Sequence, residues 1–154
     1  MSAVKDRGRE DPEGIEFVEA GWDVPQLYRA DPLLLACFEG LKQRRLLAGQ
    51  APGPSGRVIF PPTSFCEVTY SEVTELVPVG PGGVIRSFTV LPGTPAKLIV
   101  FAQLEGADTA SAGYLRGVPD DEMQNLALVG ATCRVVFADE PVGDWTDFWF
   151  ELSP

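Results

Sequence analysis

Cys37, Cys66 and Cys133 are the only thiols in the chain, and no histidine accompanies them. Histidine is the commonest general base and metal ligand. Its absence removes Ser–His–Asp and Cys–His triads, His-ligated metals and His acid–base pairs together, and argues against a stand-alone hydrolase. An odd number of widely spaced cysteines, with no secretory leader, also argues against a disulfide framework. They read as reduced, partly buried thiols in apolar surroundings. Asp120-Asp121-Glu122 carries metal-type donors, but at a helix start such acids act as partners of the helix dipole. Gly80-Pro81-Gly82-Gly83 lacks the lysine of a phosphate loop and no helix follows it. It reads as a hairpin turn.

The elements that must position these residues follow from composition and pattern. The length of 154 residues fits one domain with an attached subdomain, and 45 % hydrophobic residues can fill a core. Residues 1–14, MSAVKDRGREDPEG, are charged, without the apolar core of a signal peptide, and read as disordered. No run approaches the ~20 apolar residues of a membrane span, so the chain reads as cytoplasmic. Residues 15–50 read as a helical arm. Asp31-Pro32 supplies an N-cap with proline at the first helical position, and the helix is expected over Leu33–Leu47. Leu34, Leu35, Phe38, Leu41 and Arg45 fall near one face. Ala48–Gly56, AGQAPGPSG, ends the helix.

From Arg57 onward the pattern is β. Strands are expected at Val58–Phe60, Thr69–Val77, Val84–Leu91, Lys97–Leu104, Ala112–Arg116, Thr132–Ala138 and Trp145–Leu152, with a short helical turn at Pro119–Gln124. Short strands separated by turn signals point to a small barrel, most simply an OB-fold over 73–154. The net charge of −10 would repel phosphate backbones unless the 12 basic residues gathered on one face.

The most specific segment is Gly56–Cys66, GRVIFPPTSFC. Two short β-arms joined through Phe60-Pro61-Pro62 resemble a rubredoxin-like zinc ribbon over residues 51–72, in which each arm ends in a Cys-x-x-Cys knuckle. Counted from the double proline, the ligand positions are Pro52, Ser55, Cys66 and Thr69. Only Cys66 is a thiolate ligand; proline has no side-chain donor, and serine and threonine hydroxyls are poor zinc ligands. No bound zinc is expected. The ribbon must then be held by Phe60, Phe65, Val58 and Val68, packed together or against a partner.

Helical arm, degenerate ribbon and OB-fold, in that order, resemble the zinc-ribbon/OB-fold family of acyl-CoA-associated proteins, small accessory subunits of thiolase-like enzymes. The likeness spans Phe38 to about Leu152. Phe38-Glu39-Gly40-Leu41 is similar to the family's aromatic-x-Gly-Leu helix, and Arg45-Leu46-Leu47 to its run into the ribbon. Gly80-x-Gly82-x-Val84 with Ser87-Phe88-Thr89-Val90 is similar to its turn and first long barrel strand, with one extra residue. Val129-Gly130-Ala131 and Cys133–Phe137 resemble its late turn and strand.

The resemblance implies a subunit without catalytic residues. It docks on a thiolase-fold partner in an α2β2 assembly, and the complex makes or breaks carbon–carbon bonds on acyl-CoA. Cationic side chains would face the phosphates of the shared CoA ester: Arg57 above all, then Arg86, Lys42, Arg44 and Arg45. Phe60, Tyr70 or Phe88 would stack on adenine. Phe38, Trp145 and Trp149 would anchor the partner, since alternate residues of the aromatic closing strand face outward. No tightly bound cofactor, nucleic acid or membrane is implied. Two alternatives stay open: an OB-fold module for single-stranded nucleic acid or another extended ligand, and a purely structural subunit. The acyl group, and condensation as against retro-aldol or thiolytic cleavage, would be written in the partner.

Overall fold

A computed structural model describes residues 31–54 and 56–154. The expected disorder of residues 1–14, the first half of the helical arm and Ser55 lie outside the described residues. Asp31 opens helix α1 (Pro32–Lys42): its carboxylate accepts the Leu33 N–H at 2.9 Å, and Pro32 sits where no N–H is required. The helix buries Cys37, Gly40 and Leu41, whereas Leu35, expected on the apolar face, points outward at 54 % exposure.

The helix stops at Lys42 rather than Leu47. Arg44 enters the left-handed region at φ 56°, its N–H bonds the Leu41 carbonyl at 2.8 Å, and the Arg45 N–H bonds the Gly40 carbonyl at 2.9 Å. These two bonds are a Schellman closure, built on arginine where glycine is usual. Residues expected to continue the helix instead form strand β1 (Leu46–Gln50), because its partners arrive from elsewhere in the chain. β1 pairs antiparallel with β2 (Val58–Ile59) and with β3 (Glu75–Val79), in the order β2-β1-β3. The start of the expected strand Thr69–Val77 is a turn, and β3 begins only at Glu75.

Five further strands close a barrel: β4 (Gly82–Leu91), β5 (Lys97–Leu104), β6 (Ala110–Arg116), β7 (Thr132–Phe137) and β8 (Phe148–Leu152). Their order is β4-β5-β6-β8-β7, with β6 and β8 parallel and the other neighbours antiparallel. This is an OB-type barrel. A register shift between Ile85 and Ser87 makes Arg86 a bulge, the device that bends a strand round a closing barrel. The helical turn expected at Pro119–Gln124 is a run of plain turns, and a 3₁₀ turn follows at Leu126–Leu128. Trp145, expected in the last strand, stands in a second 3₁₀ turn, Trp145–Asp147.

β5 shows why the barrel forms. Leu98, Val100, Ala102 and Leu104 are buried while Lys97, Ile99, Phe101 and Gln103 face outward, the period-two pattern of a half-buried strand. The described residues form two apolar clusters. The larger runs from Cys37 and Leu41 of α1 through Phe60 into the barrel, and the smaller holds Ala51, Ile59, Cys66 and Val73 under the ribbon. Ile59, the last residue of β2, enters the smaller cluster, and Phe60, directly after it, enters the larger.

Gly113 is tied to this packing. A Cβ there would lie 2.5 Å from Cε2 of Phe150, which is fully buried. Gly113→Ala is expected to cost about 1–3 kcal/mol by overpacking, measured as a lowered midpoint of thermal unfolding.

Candidate functional site

The ribbon keeps the backbone of a metal knuckle. Cys66 donates its N–H to the Ser71 carbonyl at 3.0 Å and its carbonyl accepts the Tyr70 N–H at 2.9 Å, while Tyr70 takes φ 55° to close the turn. The Thr69 hydroxyl, then the backbone N–H groups of Thr69 and Val68, hold the Cys66 thiol below its ordinary range. These are bonds that a metal-bound thiolate would accept. Pro52 is exposed and offers no donor, and the Thr69 hydroxyl lies 2.6 Å from the Ser71 hydroxyl. The residues present do not fit the family's zinc. Among the described residues no group of three or more His, Cys, Asp or Glu side chains could hold a metal.

Two of the four residues expected to pack together or against a partner do not pack within the ribbon. Phe65 is 61 % and Val68 60 % exposed. The small core is instead Ala51, Ile59, Cys66 and Val73, with Leu33 of α1 against it.

Ribbon and barrel are joined by side chains of the β5–β6 turn. The Val58 N–H donates to Asp108 Oδ2 at 2.8 Å, and the Asp108 N–H returns to the Val58 carbonyl at 2.8 Å. The Phe60 N–H donates to Thr109 Oγ1 at 2.8 Å, and that hydroxyl donates to the Phe60 carbonyl at 2.9 Å. Gln103 extends the network: its Nε2 donates to the Ala107 carbonyl at 2.8 Å and its Oε1 accepts Arg86 Nε at 3.0 Å. Arg86 lines an open groove of about 330 Å³ walled by Gly82, Gly83, Gly106 and Glu105.

The cations named from sequence are not gathered at one point. Arg57, next to Val58, is paired with Glu67 at 2.7 Å. Its guanidinium and the Glu67 N–H keep that carboxyl below its ordinary range, the backbone bond being the stronger cause. Lys42 pairs with Glu39 at 2.9 Å and Arg44 donates to the Asp139 carbonyl at 2.6 Å, both near the end of α1, where Arg45 is exposed. Arg57 and Arg86 flank the junction network, and Lys42, Arg44 and Arg45 belong to the helix end.

The aromatics divide in the same way. Phe60 is 1 % exposed, with its ring 6.1 Å from Trp145 and 6.4 Å from Phe148. That corrects its expected role: a ring enclosed on this scale has no face for adenine. Phe88 is half-buried against the same core. Phe38 and Trp145 meet edge-to-face at 5.2 Å and clasp α1 to the 3₁₀ turn. Trp149 lies apart, its ring covered by Arg116 at 4.0 Å and its Nε1–H donated to Glu151 at 3.1 Å.

Two features were missed in the sequence. Asp147 is 3 % exposed and accepts the N–H groups of Val142 (3.0 Å), Gly143 (2.6 Å) and Asp144 (2.9 Å). Burial pushes its carboxyl up, but these three donors outweigh burial and leave it lowered. Asp144 caps the same turn, and the Asp-x-x-Asp spacing of a capping box was the available signal. The second feature is a groove of about 300 Å³ lined by Lys97, Tyr114, Arg116 and Met123, with Lys97 over the Tyr114 ring at 5.5 Å. The outward alternation of Tyr114 and Arg116 in β6 was its signal.

Burial pushes the Cys37 and Cys133 thiols up, and all three cysteines are free and buried. Among the described residues no nucleophile is set beside a base. A closed OB-type barrel carrying a small three-stranded ribbon and a short helix defines a scaffold class.

No family model matches the sequence, and no curated protein matches it significantly. Among solved structures the chain is similar to a protein of unknown function from the DUF35 family of Sulfolobus solfataricus. That likeness has 17 % identity and a TM-score of 0.60, and covers 79 % of this chain and 86 % of that one. It is similar also to a chain of the Ltp2-ChsH2(DUF35) aldolase, at 20 % identity and TM-score 0.57, covering 85 % of this chain and 98 % of that one. The fold is the one these DUF35 proteins have.

Proposed function

We propose that this chain is a non-catalytic accessory subunit that docks on a thiolase-fold enzyme. There it supports carbon–carbon bond formation or cleavage on acyl-CoA or related acyl substrates. One observation carries the reading: the match to 98 % of a chain from the Ltp2-ChsH2(DUF35) aldolase, an assembly that makes or breaks such bonds by its name. The missing histidine and the buried thiols favour it, because they leave the reacting groups to a partner. The chain completes the CoA channel or holds the complex together, by default as α2β2, and its ribbon works without zinc.

The test is affinity isolation of the tagged full chain from its native cell, followed by mass spectrometry. A thiolase-fold subunit in stoichiometric amount is the expected result, and a monomer with no partner overturns the reading. Elemental analysis of the same material is expected to find no zinc; one equivalent would overturn the zinc-free ribbon. In the isolated complex, Arg86→Ala is expected to raise the CoA-ester KM about tenfold, the loss of one charge-assisted hydrogen bond. An unchanged KM for both Arg86→Ala and Arg57→Ala assigns the chain a purely structural role.

A second reading rests on the outer face of β5 and β6. Phe101 and Tyr114 are 44 % and 41 % exposed there, beside Lys97 and Arg116. Cations interleaved with aromatics suit single-stranded nucleic acid, but the net charge of −10 opposes it. A salt-sensitive shift with oligonucleotides would favour this reading over the first.

A further inference from the structure

The end of the ribbon hairpin, Phe65 to Glu72, carries more exposed apolar surface than its own packing explains. Phe65 and Val68 are 61 % and 60 % exposed and Tyr70 is 82 % exposed. Tyr70 holds this position in the left-handed region, φ 55°, where a bulky side chain is disfavoured and glycine is free. Strain of this kind persists where the surroundings enforce it and clusters at functional surfaces. The surroundings here are specific: the Cys66–Ser71, Tyr70–Cys66 and Val73–Ser64 backbone bonds, and the bridge between Phe65 and Glu72. The loop is therefore set before any partner arrives, which lowers the ordering cost of binding.

Charge selects the occupant. Glu67, Glu72 and Glu75 are exposed beside the three apolar residues, and Arg57 offsets only Glu67. An anionic lipid surface would be repelled. Two copies of the tip would bring like charges together. What fits is an apolar slot in another protein, edged by lysine and arginine.

We infer that this hairpin end is a docking knob: Phe65, Val68 and Tyr70 enter an apolar slot on the partner subunit, and basic side chains at the slot's edge meet Glu67, Glu72 and Glu75. The inference rests on the accessory-subunit reading and adds the place and chemistry of contact.

The experiment measures the Kd between the purified full chain and the thiolase-fold subunit isolated with it. Tyr70→Gly is expected to weaken association at least tenfold, as loss of an aromatic anchor does, while its Tm stays the same or rises because glycine relieves the left-handed strain. Val68→Ser is expected to act in the same direction. Leu126→Ser removes a similarly exposed apolar side chain, 79 % exposed, from the 3₁₀ turn between β6 and β7 and is expected to change nothing. A benzophenone side chain at position 68 is expected to cross-link to the partner subunit. A Kd within twofold of the unsubstituted chain for Tyr70→Gly and Val68→Ser, or a cross-link joining two copies of this chain, overturns the knob while the accessory role stands. If no thiolase-fold subunit accompanies the chain, the accessory role itself fails and this inference with it.

Discussion

Asp147→Ala is expected to lower the unfolding free energy by about 3 kcal/mol, because one carboxylate accepts three backbone N–H groups and bonds to charged acceptors are worth ~1.5–3 kcal/mol each without adding fully. For a chain of this size that is a Tm drop of roughly 6–12 °C. The effect also has a pH signature. The folded carboxyl is held below its unfolded value, so its stabilisation is complete above an unfolded pKa of about 4 and is lost as the pH falls through the folded value. Asp147→Asn should therefore flatten the acid limb of a stability–pH curve measured by chemical denaturation. Part of the limb will remain. Asp31, bonded chiefly by the Ser64 hydroxyl, and Glu151, bonded chiefly by Trp149 Nε1–H, are lowered too. An acid limb identical to that of the unsubstituted chain would show that the three donors do not stabilise the ionised form.

Phe60→Ala is expected to cost about 3–5 kcal/mol, the range for emptying a buried aromatic site. Phe60 is 1 % exposed, and its neighbour Ile59 is buried in the other cluster. The substitution therefore removes the largest ribbon side chain in the main core, which it shares with Leu46, Ala48 and Val79. Trp145 reports it directly, since its ring is 6.1 Å from that of Phe60. Its emission should shift to longer wavelength, and unfolding followed by that signal should begin at lower denaturant. A loss under 1 kcal/mol would mean that the ribbon is held by Leu46, Ala48 and Val79 and by the Asp108 and Thr109 bonds rather than by Phe60.

The barrel was legible because its information is local. Val84–Leu91 alternates across Val84, Arg86, Phe88 and Val90, and Lys97–Leu104 is a short apolar run of strand length. Asp31-Pro32 was legible for the same reason, since a cap and its proline act within one turn. The end of α1 was not. Arg44 adopts a conformation usually signalled by glycine, and Leu46 and Leu47 continue a helical spacing while pairing with Val79 and Pro78, far along the chain. Register with a distant strand leaves no trace in a local window.

The candidate site divides along the same line. Residue types indicated that cations and aromatics matter, but only the fold separates Phe60, turned inward, from Trp149, laid under Arg116. Phe65 and Val68 were expected to be covered, within the ribbon or against a partner, because an apolar residue in a ribbon without metal needs cover. Among the described residues the small cluster around Cys66 closes without them.

The strand order of the small sheet has a bearing on solubility. A closed barrel has no free strand edge, so strand-by-strand aggregation can start only from the β2-β1-β3 sheet. The outer side of β2 is occupied: Asp108 and Thr109 take the polar groups of Val58 and Phe60. Among the described residues that leaves the outer side of β3, and β3 contains Glu75 and Pro78. A charge and a proline on an exposed border are what keep such borders from templating further strands. A chain built this way can reach high concentration without polymerising through these strand borders, and any association is left to side chains rather than to the backbone.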